Sequence, residues 1–159
     1  MISSVFKVCF VCTGNICRSP MGEVIFRELA ERAGLGEHFE VISRGTHGYH
    51  VGNPADPRTL SVLSAAGYQG ESHRAAKVCE RDLVESDLIL ALDRGHYRIL
   101  QGLGCEEEKL VLLGKYDRTN PSDPDVFDPY YGSEQDFVSV LNQVESCCES
   151  LLAELSNSH

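Results

Sequence analysis

The sequence predicts an α/β fold in which a parallel, doubly wound sheet of four strands is covered by helices. Three observations carry this expectation. Four short apolar segments alternate with stretches of helical periodicity. One of them, Asp87-Leu88-Ile89-Leu90-Ala91-Leu92, is a nearly continuous apolar run, the pattern of a strand buried on both faces. The first, Val5 to Val11, passes directly into a short loop and a helix start, as in sheets whose ligand site lies beyond the carboxyl ends of the strands.

The elements follow in order. The first helix begins near Ser19-Pro20, where a proline at the first helical position loses no needed donor. Met21, Val24, Ile25, Leu29 and Ala30 then recur at helical spacing until Gly34 or Gly36 ends the helix. Phe39 to Ser43 reads as the second strand, and Arg44 to Asp56, rich in glycine and histidine, as a long functional loop. Ala55 to Ala66 carries the next helix, closed by Gly67; Ser72-His73-Arg74-Ala75 opens a connection, and Asp82 to Glu85 forms a short helical turn. After the third strand, Asp87 to Leu92, the expected elements are a helix over Arg94 to Gly102 and a fourth strand over Lys109 to Leu113. Tyr116 to Gly132, rich in proline and aspartate, is too irregular for an element, and its length suggests function. Phe137, Val140, Leu141, Val144, Cys148, Leu151, Leu152 and Leu155 place a final amphipathic helix against the sheet. No repeat, low-complexity tract or linker divides residues 1–159, so one domain is expected.

A net charge of −10 over 159 residues argues against nucleic acid and anionic membranes as partners, since phosphate contacts need lysine and arginine patches. The acidic run Glu106 to Glu108 reads as a solvated face. Seven cysteines, an odd number with Cys147 and Cys148 adjacent on a helical pattern, do not form a secreted disulfide framework; a reducing cytoplasm fits. Met1 to Ser4 enter the first strand without a signal-peptide pattern, and no window approaches a membrane span.

The chemistry concentrates in Cys12-Thr13-Gly14-Asn15-Ile16-Cys17-Arg18-Ser19. Gly14 and Asn15 tolerate positive φ, so successive N–H groups can turn inward and form a nest for a tetrahedral oxyanion, with a helix N-terminus aimed at it. Arg18 presents a planar fork that can hold two phosphate oxygens at once. The same field favours a thiolate, making Cys12 a nucleophile at neutral pH. A redox pair or zinc site at Cys9-x-x-Cys12 is disfavoured, because on a strand the two side chains fall on opposite faces and no second such pair completes a metal site. A phosphate ester also needs a proton for its leaving group. Asp128, held extended by Pro129 in the long irregular stretch, is the candidate acid, although by spacing alone an Asp-Pro turn explains it equally well.

Val11 to Met21, with the C-x5-R-[ST] spacing, resembles the signature of the low-molecular-weight protein tyrosine phosphatases, in a bacterial-type form. Asp128-Pro129-Tyr130-Tyr131-Gly132 resembles their general-acid loop. Ser43 to Thr46, Gly52 to Pro54, Ser72 to Ala75 and Leu92-Asp93 follow the family in order, so the similarity spans nearly the whole chain. It implies a flavodoxin-like three-layer sandwich. It implies hydrolysis of protein phosphotyrosine through a cysteinyl phosphate, with Cys12, Arg18 and Asp128 catalytic, residues 13–19 binding phosphate, and no metal or cofactor. It implies that Asn15, Ser19, Ser43 and His73 hold the loop by hydrogen bonds and that Asp93 supports the general-acid region; each alone could equally be a cap or a satisfied buried polar group. Oxidation to a Cys12–Cys17 disulfide would store the nucleophile reversibly.

Tyr49, Tyr130 and Tyr131 lie in the two loops expected to border the cleft, where their rings can stack on phosphotyrosine. In the family the latter two are also phosphorylated. Arg44 departs from the small residue expected after Ser43 and would add positive charge to that wall, favouring acidic peptides. The expected partners are phosphotyrosine proteins and a cognate tyrosine kinase, the protein itself being a monomer with weak self-association at most. Three rivals are weaker. Arsenate reductases share the loop, but beyond Cys79 this chain lacks the resolving cysteines they need. Protein-arginine phosphatases carry a hydroxyl residue where Ile16 stands, and a non-catalytic phosphopeptide-binding module would lack the nucleophile or the acid.

Overall fold

The structure, a computed structural model, describes residues 5–118 and 123–158. Four parallel strands, β1 (Phe6–Cys12), β2 (Phe39–Gly45), β3 (Leu88–Ala91) and β4 (Leu110–Leu112), form one sheet in the order β2-β1-β3-β4. The helices are α1 (Arg18–Arg32), α2 (Pro57–Ala65), α3 (Glu80–Glu85), α4 (Arg94–Gly102) and α5 (Glu134–Ser158).

The two-residue period of the strands sorts side chains into two cores. Val8, Phe10 and Cys12 of β1, with Leu88 and Leu90 of β3, join buried residues of α1, α2 and α5 on one face. Cys9, Val11, Ile89 and Ala91 join Leu83 of α3, Leu100 of α4 and Leu110 on the other. The result is a three-layer sandwich, and Cys9 and Cys12 do fall on opposite faces. The predicted apolar stripe of the last helix is buried along its length, with Cys147 added to it.

Boundaries differ from the sequence reading by a few residues. α1 begins at Arg18, so Pro20 is its third residue rather than its first, still within the turn whose N–H groups have no helical partner. β2 runs through Arg44 to Gly45, shortening the loop that follows it. α2 starts at Pro57 because Asp56 caps it, accepting from Arg58 N at 2.8 Å. Gly34 and Gly67, at φ 75° and 91°, end α1 and α2 as expected. Leu113–Tyr116 is a 3-10 turn, after which the described residues up to Ser133 are irregular. The expected entry at Met1 to Ser4 lies outside the described residues.

β1 is flanked by β2 on one side and β3 on the other, so the chain leaves its carboxyl end where the crossovers diverge. There α1 lies close upon the sheet: a Cβ on Gly22 would come within 2.5 Å of the fully buried Phe10 ring. Gly22→Ala should therefore lower the free energy of unfolding by about 1–3 kcal/mol, the usual cost of overpacking, as read by denaturant titration.

Candidate active site

The loop after β1 is held open from outside. Its carbonyls are satisfied by the surrounding chain: Cys12 O accepts from Thr46 N at 2.8 Å, Thr13 O from His47 N at 3.0 Å, and Ile16 O from Asp56 N at 2.8 Å. Asn15 O accepts from His73 Nε2 at 2.8 Å. Because a trans peptide directs its N–H opposite its C=O, these contacts turn the intervening N–H groups toward the concave side. Asn15, at φ 60°, is the one non-glycine residue of left-handed backbone among the described residues. Gly14 has no positive φ, contrary to expectation. Its missing Cβ instead admits His50, whose Cδ2 would stand 2.9 Å from that atom.

The Asn15 side chain explains how so strained a turn persists. Its Oδ1 accepts from Ala76 N at 2.9 Å, which fixes the amide orientation, and its Nδ2 donates to Ser19 Oγ at 2.8 Å and Ser43 Oγ at 3.0 Å. With a Ser19 lone pair so used, the Ser19 hydroxyl is free to donate to Cys12 Sγ, 2.9 Å away. Ser43 in turn donates to Glu23 Oε1 at 2.5 Å, and His73 Nδ1 stands 3.6 Å from the same oxygen. Burial would raise the Glu23 carboxyl, but hydrogen bonding from His73, Ser43 and Arg27 outweighs it and holds the group at about 2. The four predicted supporting residues are thus one network, and Glu23 is a member that the sequence reading missed.

Arg18, 3% exposed, opens α1 beside Cys12. Its Nη1 donates to Asp93 Oδ2 and to Val126 O, both at 2.9 Å, and its Nη2 lies 3.6 Å from Asp128 Oδ2. Asp93 is thus paired with the arginine, whose same nitrogen reaches Val126 O, and it also caps α4 through His96 N at 2.9 Å. Burial opposes its charge, yet the His96 backbone N–H, His96 and Arg18 lower its carboxyl below the usual range. His96 is a second residue that the sequence reading missed.

Above this floor is a cleft of about 260 Å³. Cys12, Thr13, Gly14, Ile16, Cys17 and Arg18 form its base, while Tyr49, His50, Asp128, Tyr130 and Tyr131 form its walls. Asp128 is half-exposed and accepts from Tyr130 N at 3.1 Å. Tyr130 lies under the Arg58 guanidinium, 5.5 Å from the ring centroid, and Arg58 is clamped by Asp56 at 2.9 and 3.0 Å. Tyr49 stacks on His47 at 5.0 Å. Cys17 is buried at the base, which pushes its thiol up to about 12.

Arg44 does not reach this wall. It pairs with Asp82 at 3.1 Å and lines a separate polar cavity of about 220 Å³ with Glu23, Arg27 and His73. The expectation that it biases the cleft toward acidic peptides is thereby corrected: position 44 faces away from the loop, in the alternation of β2. Cys79 sits at the start of α3, outside the cleft, where it contacts Asp82.

The family model for low molecular weight phosphotyrosine protein phosphatase matches residues 7–159. A low molecular weight protein-tyrosine-phosphatase of Streptomyces coelicolor is 47% identical over 93% of this chain and 92% of its own length. Among solved structures, a protein tyrosine phosphatase of Entamoeba histolytica superposes with a TM-score of 0.90 at 35% identity, covering 96% of this chain and 98% of its own. The YwlE arginine phosphatase, solved as a cysteine-to-serine mutant with a phosphorylated active-site serine, superposes with a TM-score of 0.85 at 30% identity, covering 95% and 96%.

The Glu23 anchor makes a prediction about stability. Its folded value of about 2 lies below the ordinary 4.5, so its contribution is fully present above pH 4.5 and is lost as pH falls toward 2. The depression corresponds to about 3 kcal/mol at most. Glu23→Gln should flatten the fall in unfolding free energy between pH 5 and 2, measured by denaturant titration at each pH.

Proposed function

This chain belongs to the low molecular weight phosphotyrosine protein phosphatase family and is a protein-tyrosine phosphatase, a phosphoric monoester hydrolase; from that premise we propose which of its residues carry the reaction, and how. The observation that supports the assignment best is the convergence of Cys12, Arg18 and Asp128 on one cleft, with Asp128 Oδ2 3.6 Å from Arg18 Nη2. Phosphate entering the nest takes the Arg18 fork and frees Asp128 to turn toward the leaving oxygen. The Cys12 thiolate, stabilised by the Ser19 hydroxyl, forms the S–P bond in line as the P–O bond to tyrosine breaks. The departing electron pair takes the Asp128 proton, giving the dephosphorylated tyrosyl side chain and a cysteinyl phosphate. Asp128, now a carboxylate, deprotonates a water whose oxygen attacks phosphorus; the S–P bond breaks, and inorganic phosphate and the thiolate are released. Arg18 and the loop N–H groups balance the phosphoryl charge throughout, so the step draws on no metal. The phosphorylated active-site serine of the related arginine phosphatase supports a covalent intermediate at the loop nucleophile.

Substrate choice rests on the walls. Tyr49, Tyr130 and Tyr131 offer aromatic faces to a phosphotyrosine ring, and the aliphatic Ile16 at the base offers no hydroxyl to a phosphoguanidinium. We assign the whole chain to one catalytic domain, a monomer working in the cytoplasm on proteins that a tyrosine kinase phosphorylates. Seven free cysteines support a reducing compartment, and no helix of the described residues is long and apolar enough to cross a membrane. Cys17, at the cleft base with the nucleophile, is assigned as its disulfide partner under peroxide, and Tyr130 and Tyr131 as acceptors for regulatory phosphorylation.

The test compares phosphotyrosine, phosphoarginine and phosphoserine peptides with EDTA present. Phosphotyrosine should be preferred. Cys12→Ser and Arg18→Ala should lose at least about 10³-fold in kcat, and Asp128→Ala about 10²-fold, with its deficit shrinking for aryl phosphates of good leaving group. Preference for phosphoarginine would reassign the substrate while keeping the loop chemistry. Peroxide should inhibit the wild type reversibly by thiol and Cys17→Ser irreversibly.

A further inference from the structure

His96 is in no motif, lies 83 residues from Thr13, and is outside the cleft lining, yet it is buried to 3% exposure against the two ends of the phosphate loop. Its Nε2 is 2.8 Å from Thr13 Oγ1 and 3.5 Å from Arg18 Nη2. Its Nδ1 has no aligned hydrogen-bond partner but stands 3.1 Å from Asp93 Oδ1, the oxygen that the His96 backbone N–H already binds. The identities of these neighbours decide the tautomer. A guanidinium offers only donors, so an Nε2 beside Arg18 must present its lone pair, and the Thr13 hydroxyl then donates to that lone pair. The ring proton is left on Nδ1, facing the carboxylate.

We propose that His96 is a positioning residue of the phosphate site: its neutral imidazole, through the Nε2 lone pair, pins Thr13 at the start of the loop and the outer edge of the Arg18 fork at its end. Asp93 holds the other edge of the same fork at 2.9 Å, so the guanidinium plane is set from both sides before any phosphate arrives. The inference rests on the reading of this cleft as the phosphate site. The charge environment agrees with a neutral ring. Burial first, then the Arg18 guanidinium, push the imidazole down to about 4, against the opposing pull of Asp93 and Asp128; His47 faces it from the loop after β2. A proton on Nε2 would set an N–H donor against the Arg18 guanidinium and reverse the Thr13 bond, whose hydroxyl would then have to accept.

The experiment has two arms. In the first, His96→Leu, which keeps the bulk and loses the acceptor, and His96→Gln, whose amide oxygen reaches near the Nε2 position, are compared for KM, kcat and the inhibition constant of inorganic phosphate. Leu should raise KM and the phosphate constant together at least tenfold with kcat falling less, and Gln should stay within threefold of wild type. Leu within twofold of wild type in both constants, or Gln falling as far as Leu, would overturn the proposal. Phosphate affinity, measured by calorimetry, decides the matter even if phosphotyrosine turnover is absent, so failure of the catalytic reading shows separately. In the second arm, 15N-edited spectra of the unmodified enzyme report the ring directly, which serves if His96→Leu does not fold. A neutral ring protonated at Nδ1 from pH 7 down to 5.5, unchanged on adding phosphate, is expected; a proton on Nε2 in that range would sink the idea.

Discussion

A concave row of peptide N–H groups is unstable unless the carbonyls of the same peptides are satisfied on the convex side, and that constraint organises this molecule. The four carbonyl contacts of this turn reach three separate parts of the chain: Thr46 and His47 beyond β2, Asp56 at the start of α2, and His73 in the connection that follows. Asn15 is where the requirement is greatest. A left-handed, fully buried asparagine costs of order 1–3 kcal/mol of backbone strain, and three hydrogen bonds from its amide offset it. The sheet, the caps and the connecting loops can thus be read as the scaffold of one eight-residue turn.

Charge follows the same logic. On a chain of net charge −10, Arg18 is buried and met by Asp93 and Asp128, so the guanidinium is paired in the resting site without being neutralised by a single rigid partner. Asp93 is fixed by its cap on α4, whereas Asp128 sits on an irregular loop and is half-exposed. On the proposed reading, an entering phosphate has one competitor that can yield and one that cannot. Glu23 lies on the far side, linked to Cys12 through Ser43, Asn15 and Ser19 and to the Asn15 carbonyl through His73, and so orders the surroundings of Cys12 from outside the cleft.

Much of this was legible in the sequence. The parallel, doubly wound sheet could be argued because Leu88 to Ala91 is apolar on both faces and helices separate the strands; the loop residues were legible because cysteine, arginine and the helix start are contiguous. What escaped was whatever depends on long-range juxtaposition. His96 lies on an ordinary amphipathic helix, and nothing local distinguishes it from a surface histidine until β3 brings its turn against Thr13. Glu23 looks like an exposed helix glutamate until Ser43 arrives from β2. Arg44 misled for a related reason: its neighbour Ser43 belongs to the network, and alternation along a strand sends adjacent side chains to opposite faces. Gly14 was expected to supply left-handed backbone, but only the path of the next loop shows that its service is to make room for His50.

The strand order has one more consequence. Because β1 is interior to the sheet, its carboxyl end is anchored by pairing on both sides, while the aromatic walls come from segments that leave the sheet after β2 and β4. On the assignment proposed above, the reacting group and the groups that choose what reacts therefore belong to parts of the chain with separate tolerances. Insertions or replacements in the outer segments can redraw the target repertoire while the innermost strand stays untouched. Such an architecture lets a lineage diversify its clients without reinventing its chemistry.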